Sequence, residues 1–256
     1  MRLTIAAIRS NERFMRTGAS HSDIYSGYTK IDDEAAKYLV ELELSARKHH
    51  PFVSPPIITL KDLVSLSDNS ALYLGRLDGA LLLNGLKYIT DESIYNLTSG
   101  SLDCICLNVK ELTEFGAACL RKLTKGLFLG IERGDDGVFK QLGLTRSVMF
   151  LDELKQISIS GLEHLSKHRA YLVLGLNNLT KEQAIALRSK RGSLNLHNIT
   201  SISDSAAEVL GSRSGSIILR IEEITYDQAR IFRGFKGRIN GKNPKDWVSG
   251  ITVKRF

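Results

Sequence analysis

The hydrophobic positions of this chain repeat. In the stretch 81–97, Leu-Leu-Leu-Asn-Gly-Leu-Lys-Tyr-Ile-Thr-Asp-Glu-Ser-Ile-Tyr-Asn-Leu, Ile89 serves as an anchor. Apolar residues stand six and three positions before it (Leu83, Leu86) and five and eight after it (Ile94, Leu97), and a Thr follows at once. The same template fits nine times, on anchors Ile31, Leu66, Ile89, Leu112, Gly134, Ile157, Leu179, Ile202 and Ile224. After a first interval of 35, the anchors recur every 22 or 23 residues. A fixed period in this range marks stacked structural repeats.

Each template position predicts a piece of local structure. The residue after the anchor is Asp32, Ser67, Thr90, Thr113, Asp135, Ser158, Thr180, Ser203 or Thr225, and every one is a good helix N-cap. Apolar residues five and eight past the anchor then give the inward face of a helix of about ten residues. Thr180 with Gln183, and Thr225 with Gln228, have capping-box spacing. Before the anchor run short β-type segments such as Tyr171-Leu-Val-Leu, followed by Gly or Asn where the chain leaves the strand. One strand–turn–helix unit cannot close a core, but stacked units bury a continuous column.

Leu81-x-Leu83, Met149-x-Leu151 and Leu194-x-Leu196 resemble the strand signature of the leucine-rich repeat family. The Asn usual three residues after the second Leu is replaced by Leu86, Leu154 and Ile199, which is closer to an irregular bacterial variant, L-x-L-x-x-L-x-x-I-S/T. The resemblance covers about 210 of the 256 residues. It implies an α/β leucine-rich-repeat solenoid, a horseshoe of about nine repeats. A parallel sheet would line the concave side and short helices the convex side. It implies little about activity. The expected organisation is an N-terminal cap over 1–22, a repeat array over 23–232 with an insertion near 43–56, and a basic C-terminal cap or tail over 233–256.

In this family partners usually bind the concave face. If the six-before row (Leu83, Cys106, Phe128, Leu151, Val173, Leu196, Ile218) points to the core, its strand neighbours point outward. The outward set then contains Leu82, Ile105, Leu107, Leu127, Leu129, Phe150, Leu172, Leu174, Ile217 and Leu219. An exposed apolar patch of that size marks an interaction surface. The expectation is a protein partner on that face, with Phe150 and Leu174 as central anchors, or a second copy of the chain covering it.

Charge adds one feature. The chain carries +7, and 233–256 holds Arg233, Lys236, Arg238, Lys242, Lys245, Lys254 and Arg255 against Asp246 alone. Clustered cations attract phosphates, lipid headgroups or an acidic partner. Binding of nucleic acid or anionic membrane through this segment is therefore the alternative reading, although no nucleic-acid-reading motif or aromatic platform is evident.

Other chemistry is sparse. The three Cys (Cys104, Cys106, Cys119) are odd in number, and Cys104 and Cys106 are expected inward as small hydrophobes. His49-His50 reads as surface, as do His164 and His168, an i, i+4 pair without an intervening Glu. The run 131–137, Ile-Glu-Arg-Gly-Asp-Asp-Gly, lacks the alternating oxygen ligands of a calcium loop and reads as a turn capped by Asp135 or Asp136. Gly211-Ser-Arg-Ser-Gly-Ser lacks the Lys-Ser/Thr ending of a phosphate loop and reads as a flexible return. No nucleophile with a base, metal-ligand set or dinucleotide fingerprint is present, so neither catalysis nor a cofactor is expected. The first residues have too short an apolar run for a secretory signal. The expected location is cytoplasmic, or that of a bacterial effector exported without cleavage.

Overall fold

The structure is a computed structural model that describes residues 1–15, 24–49 and 55–254, with no side-chain description for 12–15 and 49. The chain divides into two compact units, Met1–Gly130 and Ile131–Phe256.

In the first unit β1 (Arg2–Leu3) leads into α1 (Ile5–Met15), and β1 pairs in parallel with β2 (Lys30–Ile31). There follow α2 (Asp33–His49), β3 (Ile57–Thr59), α3 (Asp68–Leu74), β4 (Ala80–Leu83), α4 (Asp91–Thr98), β5 (Cys104–Leu107), α5 (Glu114–Leu120) and β6 (Gly126–Leu129). Strands β3 to β6 pair in parallel in sequence order. The expected insertion opens differently from a loop: α2 runs on through His49, two turns past its last core residues. His50 and 51–54 lie outside the described residues.

In the second unit α6 (Asp136–Gly143) and β7 (Val148–Leu151) are followed by α7 (Ile159–Ser166), β8 (Leu172–Leu174), α8 (Lys181–Arg188), β9 (Leu194–Leu196), α9 (Asp204–Gly211) and β10 (Ile217–Leu219). Strands β7 to β10 are again parallel neighbours. Then come β11 (Glu223–Thr225), α10 (Tyr226–Arg233), α11 (Pro244–Ser249) and β12 (Thr252–Lys254), with β11 and β12 paired in parallel. Trp247 packs edge-on against Phe232 at 5.4 Å, and Ile239 and Val248 are buried, so most of the basic C-terminal segment is folded.

The N-caps fall where the sequence places them. Asp32, Ser67, Thr90, Thr113, Asp135, Ser158, Thr180, Ser203 and Thr225 each accept a hydrogen bond from the backbone N–H three residues on. Both capping boxes close. A second layer joins neighbouring repeats. Asp68, the first residue of α3, accepts from Thr90 Oγ1 at 2.5 Å and Ser93 Oγ at 2.6 Å in the next repeat. Asp33, Asp91, Asp136 and Asp204 make the corresponding bonds to Ser67, Thr113, Ser158 and Thr225. These hydroxyl bonds favour the ionised carboxylate and lower the pKa of Asp33, Asp68 and Asp136.

The helical rows of the core are Leu39, Leu74, Leu97, Leu120, Leu142, Leu165, Leu187, Leu210 and Phe232, all fully buried, with Ala36, Ala71, Ile94, Ala117, Phe139, Leu162, Ala184, Ala207 and Ala229 beside them. The strand row differs from the expectation. It is Leu60, Leu83, Leu107, Leu129, Leu151, Leu174, Leu196 and Leu219, a Leu in each of the eight repeats after the first. The distance from that Leu to the N-cap is seven residues after Leu60, Leu83, Leu151 and Leu196, but six after Leu107, Leu129, Leu174 and Leu219. A rigid template therefore slips by one residue in the second group, and a slip of one exchanges the two faces of a strand.

Candidate functional site

The shifted register redraws the face of the sheet that looks away from the helices. Of the ten residues expected there, Leu82 and Phe150 do face outward, half-buried. Ile105, Leu107, Leu127, Leu129, Leu172, Leu174, Ile217 and Leu219 are core residues, none more than 3% exposed. Cys104, Cys106, Phe128 and Ile218, expected in the core, take the outward places and are half-buried.

In the first unit the strand register lines up Thr59, Leu82, Cys106 and Phe128 across β3 to β6. One step earlier run Ile57, Ala80, Cys104 and Gly126. Gly126 is small for a local reason: a Cβ there would stand 2.7 Å from Cys104 Sγ. The thiols of Cys104 and Cys106 are pushed up by burial, and that of Cys104 further by its neighbour, so both stay protonated and weakly nucleophilic at neutral pH. Asn84 Nδ2 donates to Cys106 Sγ at 3.4 Å.

In the second unit the outward row is Phe150, Val173, Asn195 and Ile218. Phe150 meets Tyr171 edge-on at 5.8 Å, and Asn195 Nδ2 donates to the Tyr171 hydroxyl at 2.9 Å. Val173, between Phe150 and Asn195 in the row, is buried. At the ends of the strands Asp152 and His197 face each other at 3.7 Å, giving the apolar row a polar margin. Gly175 sits in that margin because its turn stacks directly on the one before. A Cβ there would lie 1.8 Å from the Asp152 carbonyl oxygen.

The second unit also buries basic side chains, two of which, His168 and Arg213, the sequence reads as surface or loop. Three residues past the helical Leu row, where the first unit has Leu77 and Leu123, stand Thr145, His168, Lys190 and Arg213, all buried. His168 Nδ1 lies 3.1 Å from the Thr145 carbonyl oxygen. Lys190 Nζ donates to the carbonyl oxygens of Ala170, at 2.9 Å, and Arg191. Arg213 donates to four: Lys190 and Gly192 at 3.0 and 2.5 Å, Gly215 and Ser216 at 3.2 and 3.1 Å. Far from being flexible, the return after Gly211 is knotted around that guanidinium. Burial, with Arg213 nearby, brings the Lys190 ammonium down to about 8, and burial brings Arg213 down to about 10. His168 is lowered by burial and by Lys190.

The C-terminal cations Arg233, Lys236, Arg238, Lys242 and Lys245 are exposed; Lys254 pairs with Glu223, and Arg255 lies outside the described residues. Among the described residues, no group of three or more His, Cys, Asp or Glu is placed to share a metal ion, and no helix is long and apolar enough to cross a membrane.

No protein-family model matches the chain, and no curated protein does. Among solved structures, the chain is similar to the crystal structure of an internalin, InlF, from Listeria monocytogenes. The likeness has a TM-score of 0.44 and 15% identity, and covers 90% of this chain and 78% of that one. The α/β repeat architecture described above rests on the chain's own strand pairing, caps and buried Leu rows.

Proposed function

We propose that the chain is a non-catalytic protein-binding scaffold that holds its partner against the outward face of the parallel strands. The observation that carries this reading is the composition of that face. A sheet covered by helices on one side and water on the other ordinarily turns polar residues to the water. Here Leu82, Cys106 and Phe128 in the first unit, and Phe150 and Ile218 in the second, stand half-buried in the outward row. Apolar side chains gathered on one face and rimmed by polar groups such as Asp152 and His197 mark an interaction surface.

In the second unit Phe150 and Ile218, the large apolar side chains at the two ends of the row, are the anchors, since a few large side chains carry most of the energy of a contact. The test is a double substitution, Phe150→Asp with Ile218→Asp. Proteins cross-linked to the wild-type chain should vanish from the variant while its cooperative melt is retained. Light scattering of both chains over a range of concentrations distinguishes a second copy from a foreign partner. Recovery of the same cross-linked proteins on the variant would defeat the proposal.

A further inference from the structure

The loops that leave each helix of the second unit for the next strand, or after α10 for the bridge residue Ile239, form a basic edge. These loops are 144–147, 167–171, 189–193, 212–216 and 234–238, and none contains an Asp or Glu. Extending the strand register three residues back from Met149, Leu172, Leu194, Ile217 and Ile239 aligns Arg146, Arg169, Arg191, Ser214 and Lys236 in one row. Parallel strands lie about 4.8 Å apart, so five places span about 19 Å. The four cations are exposed, and among the described residues none is in an ion pair. Lys167 and Arg188 flank the row.

Behind the row lie Lys190 and Arg213, held by carbonyl oxygens rather than carboxylates, so their charge reinforces the row instead of being cancelled. The equivalent loops of the first unit are built otherwise. Asp78 pairs there with Arg47, and Asp103 with Lys125 at 2.5 Å. The charge budget follows: residues 131–256 hold 20 Lys and Arg against 13 Asp and Glu, whereas 1–130 are balanced at 15 of each. Lys236 and Arg238, assigned by sequence to a tail, are the last members of an edge that begins in the repeats.

We propose that this edge binds the backbone of single-stranded nucleic acid. A row of cations at regular pitch suits a chain with one charge per unit, and phosphates are held chiefly by Arg, Lys, Ser and backbone N–H groups. Single-strand binders combine such a row with aromatic rings on which bases stack. Tyr171 ends its loop just before β8, two residues past Arg169, its ring packed edge-on against Phe150 and its hydroxyl accepting from Asn195. A membrane surface would call for apolar side chains to insert beside the cations, and on these loops Leu144 alone is an exposed large hydrophobe. The cations lie on the loops and not on the outward sheet face, which the site touches only through Tyr171 beside Phe150, so the charge reversals test this reading separately from the Phe150 and Ile218 double substitution.

The test uses the full chain and a fluorescently labelled single strand of about 16 nucleotides, in RNA and DNA forms, titrated at several salt concentrations. Arg169→Glu with Arg191→Glu is compared with Lys140→Glu with Lys181→Glu. The second pair changes net charge equally on exposed helix positions. The edge variant should bind at least about tenfold more weakly. Its salt dependence should flatten by about 1.4 in log–log slope, at about 0.7 per lost phosphate contact. Tyr171→Ala should weaken binding to the strand and leave binding to a poly-glutamate peptide unchanged. Matching melting curves show that the variants fold; if the Glu variants do not, Arg146→Ser with Lys236→Ser tests the ends of the row. Equal losses from both charge reversals would overturn the proposal. So would capture of anionic vesicles or of the acidic peptide as tightly as the labelled strand.

Discussion

Replacing Leu107 with Ala, and separately Cys106 with Ala, tests the register on which the outward face depends. The two residues are adjacent on β5 and exchange roles if the strand is read one residue out. Leu107 is fully buried, aligned with Leu83 and Leu129, which are also in the core. Trimming it to Ala removes three carbon groups at about 0.8 kcal/mol each, about 2.4 kcal/mol in transfer alone. The cavity left in a stack that cannot collapse from either side brings the cost toward the middle of the usual 2–5 kcal/mol. Cys106 is half-buried on the open face, and losing its Sγ should cost under about 1 kcal/mol, as for partly exposed positions. At about 2–4 °C per kcal/mol for a chain of this size, Leu107→Ala should melt about 6–12 °C lower and Cys106→Ala within a few degrees of wild type. The assay is thermal and guanidinium unfolding under reducing conditions, followed by circular dichroism. A Cys106 variant as unstable as the Leu107 variant would refute the register, and the outward face with it.

Two further outcomes follow from the buried cations. Arg213→Leu should destabilise the chain by about 2–4 kcal/mol, because four carbonyl oxygens lose their donor; denaturant unfolding beside Arg233→Leu, an exposed control, checks it. Lys190 has a folded pKa of about 8, against about 10.4 in an unfolded chain. Between these values the unfolded state binds more protons, so this residue makes stability rise with pH. The rise should be on the order of 2 kcal/mol by pH 10 and absent in Lys190→Met, as read from denaturation midpoints of both chains at pH 7 to 10.

The helical half of each repeat was legible from residue order, because its geometry is local. A cap hydroxyl or carboxylate fixes where a helix starts, and residues four and seven positions past the cap then face the core whatever surrounds them. That is why Thr90, Ile94 and Leu97, and their counterparts in every repeat, fall where the pattern puts them. The strand half was not legible to the same depth. The turn between the strand Leu and the cap holds five residues in some repeats and six in others, and only hydrogen bonding to the neighbouring strand decides which residue of a run such as 104–107 turns inward. An all-apolar run carries no alternation to betray its register.

The buried basic side chains show the same limit from the other side. His168, Lys190 and Arg213 lie 22 or 23 residues apart and look like ordinary surface residues along the chain. Stacking the repeats places carbonyl oxygens of successive return loops around one point, and only there does a cation become the group that satisfies them. The sequence alone determined the period, the caps and the helical rows of the core. The tertiary structure decided which strand face is open, where charge gathers along an edge, and which cations are interior, because each depends on what the next repeat places opposite.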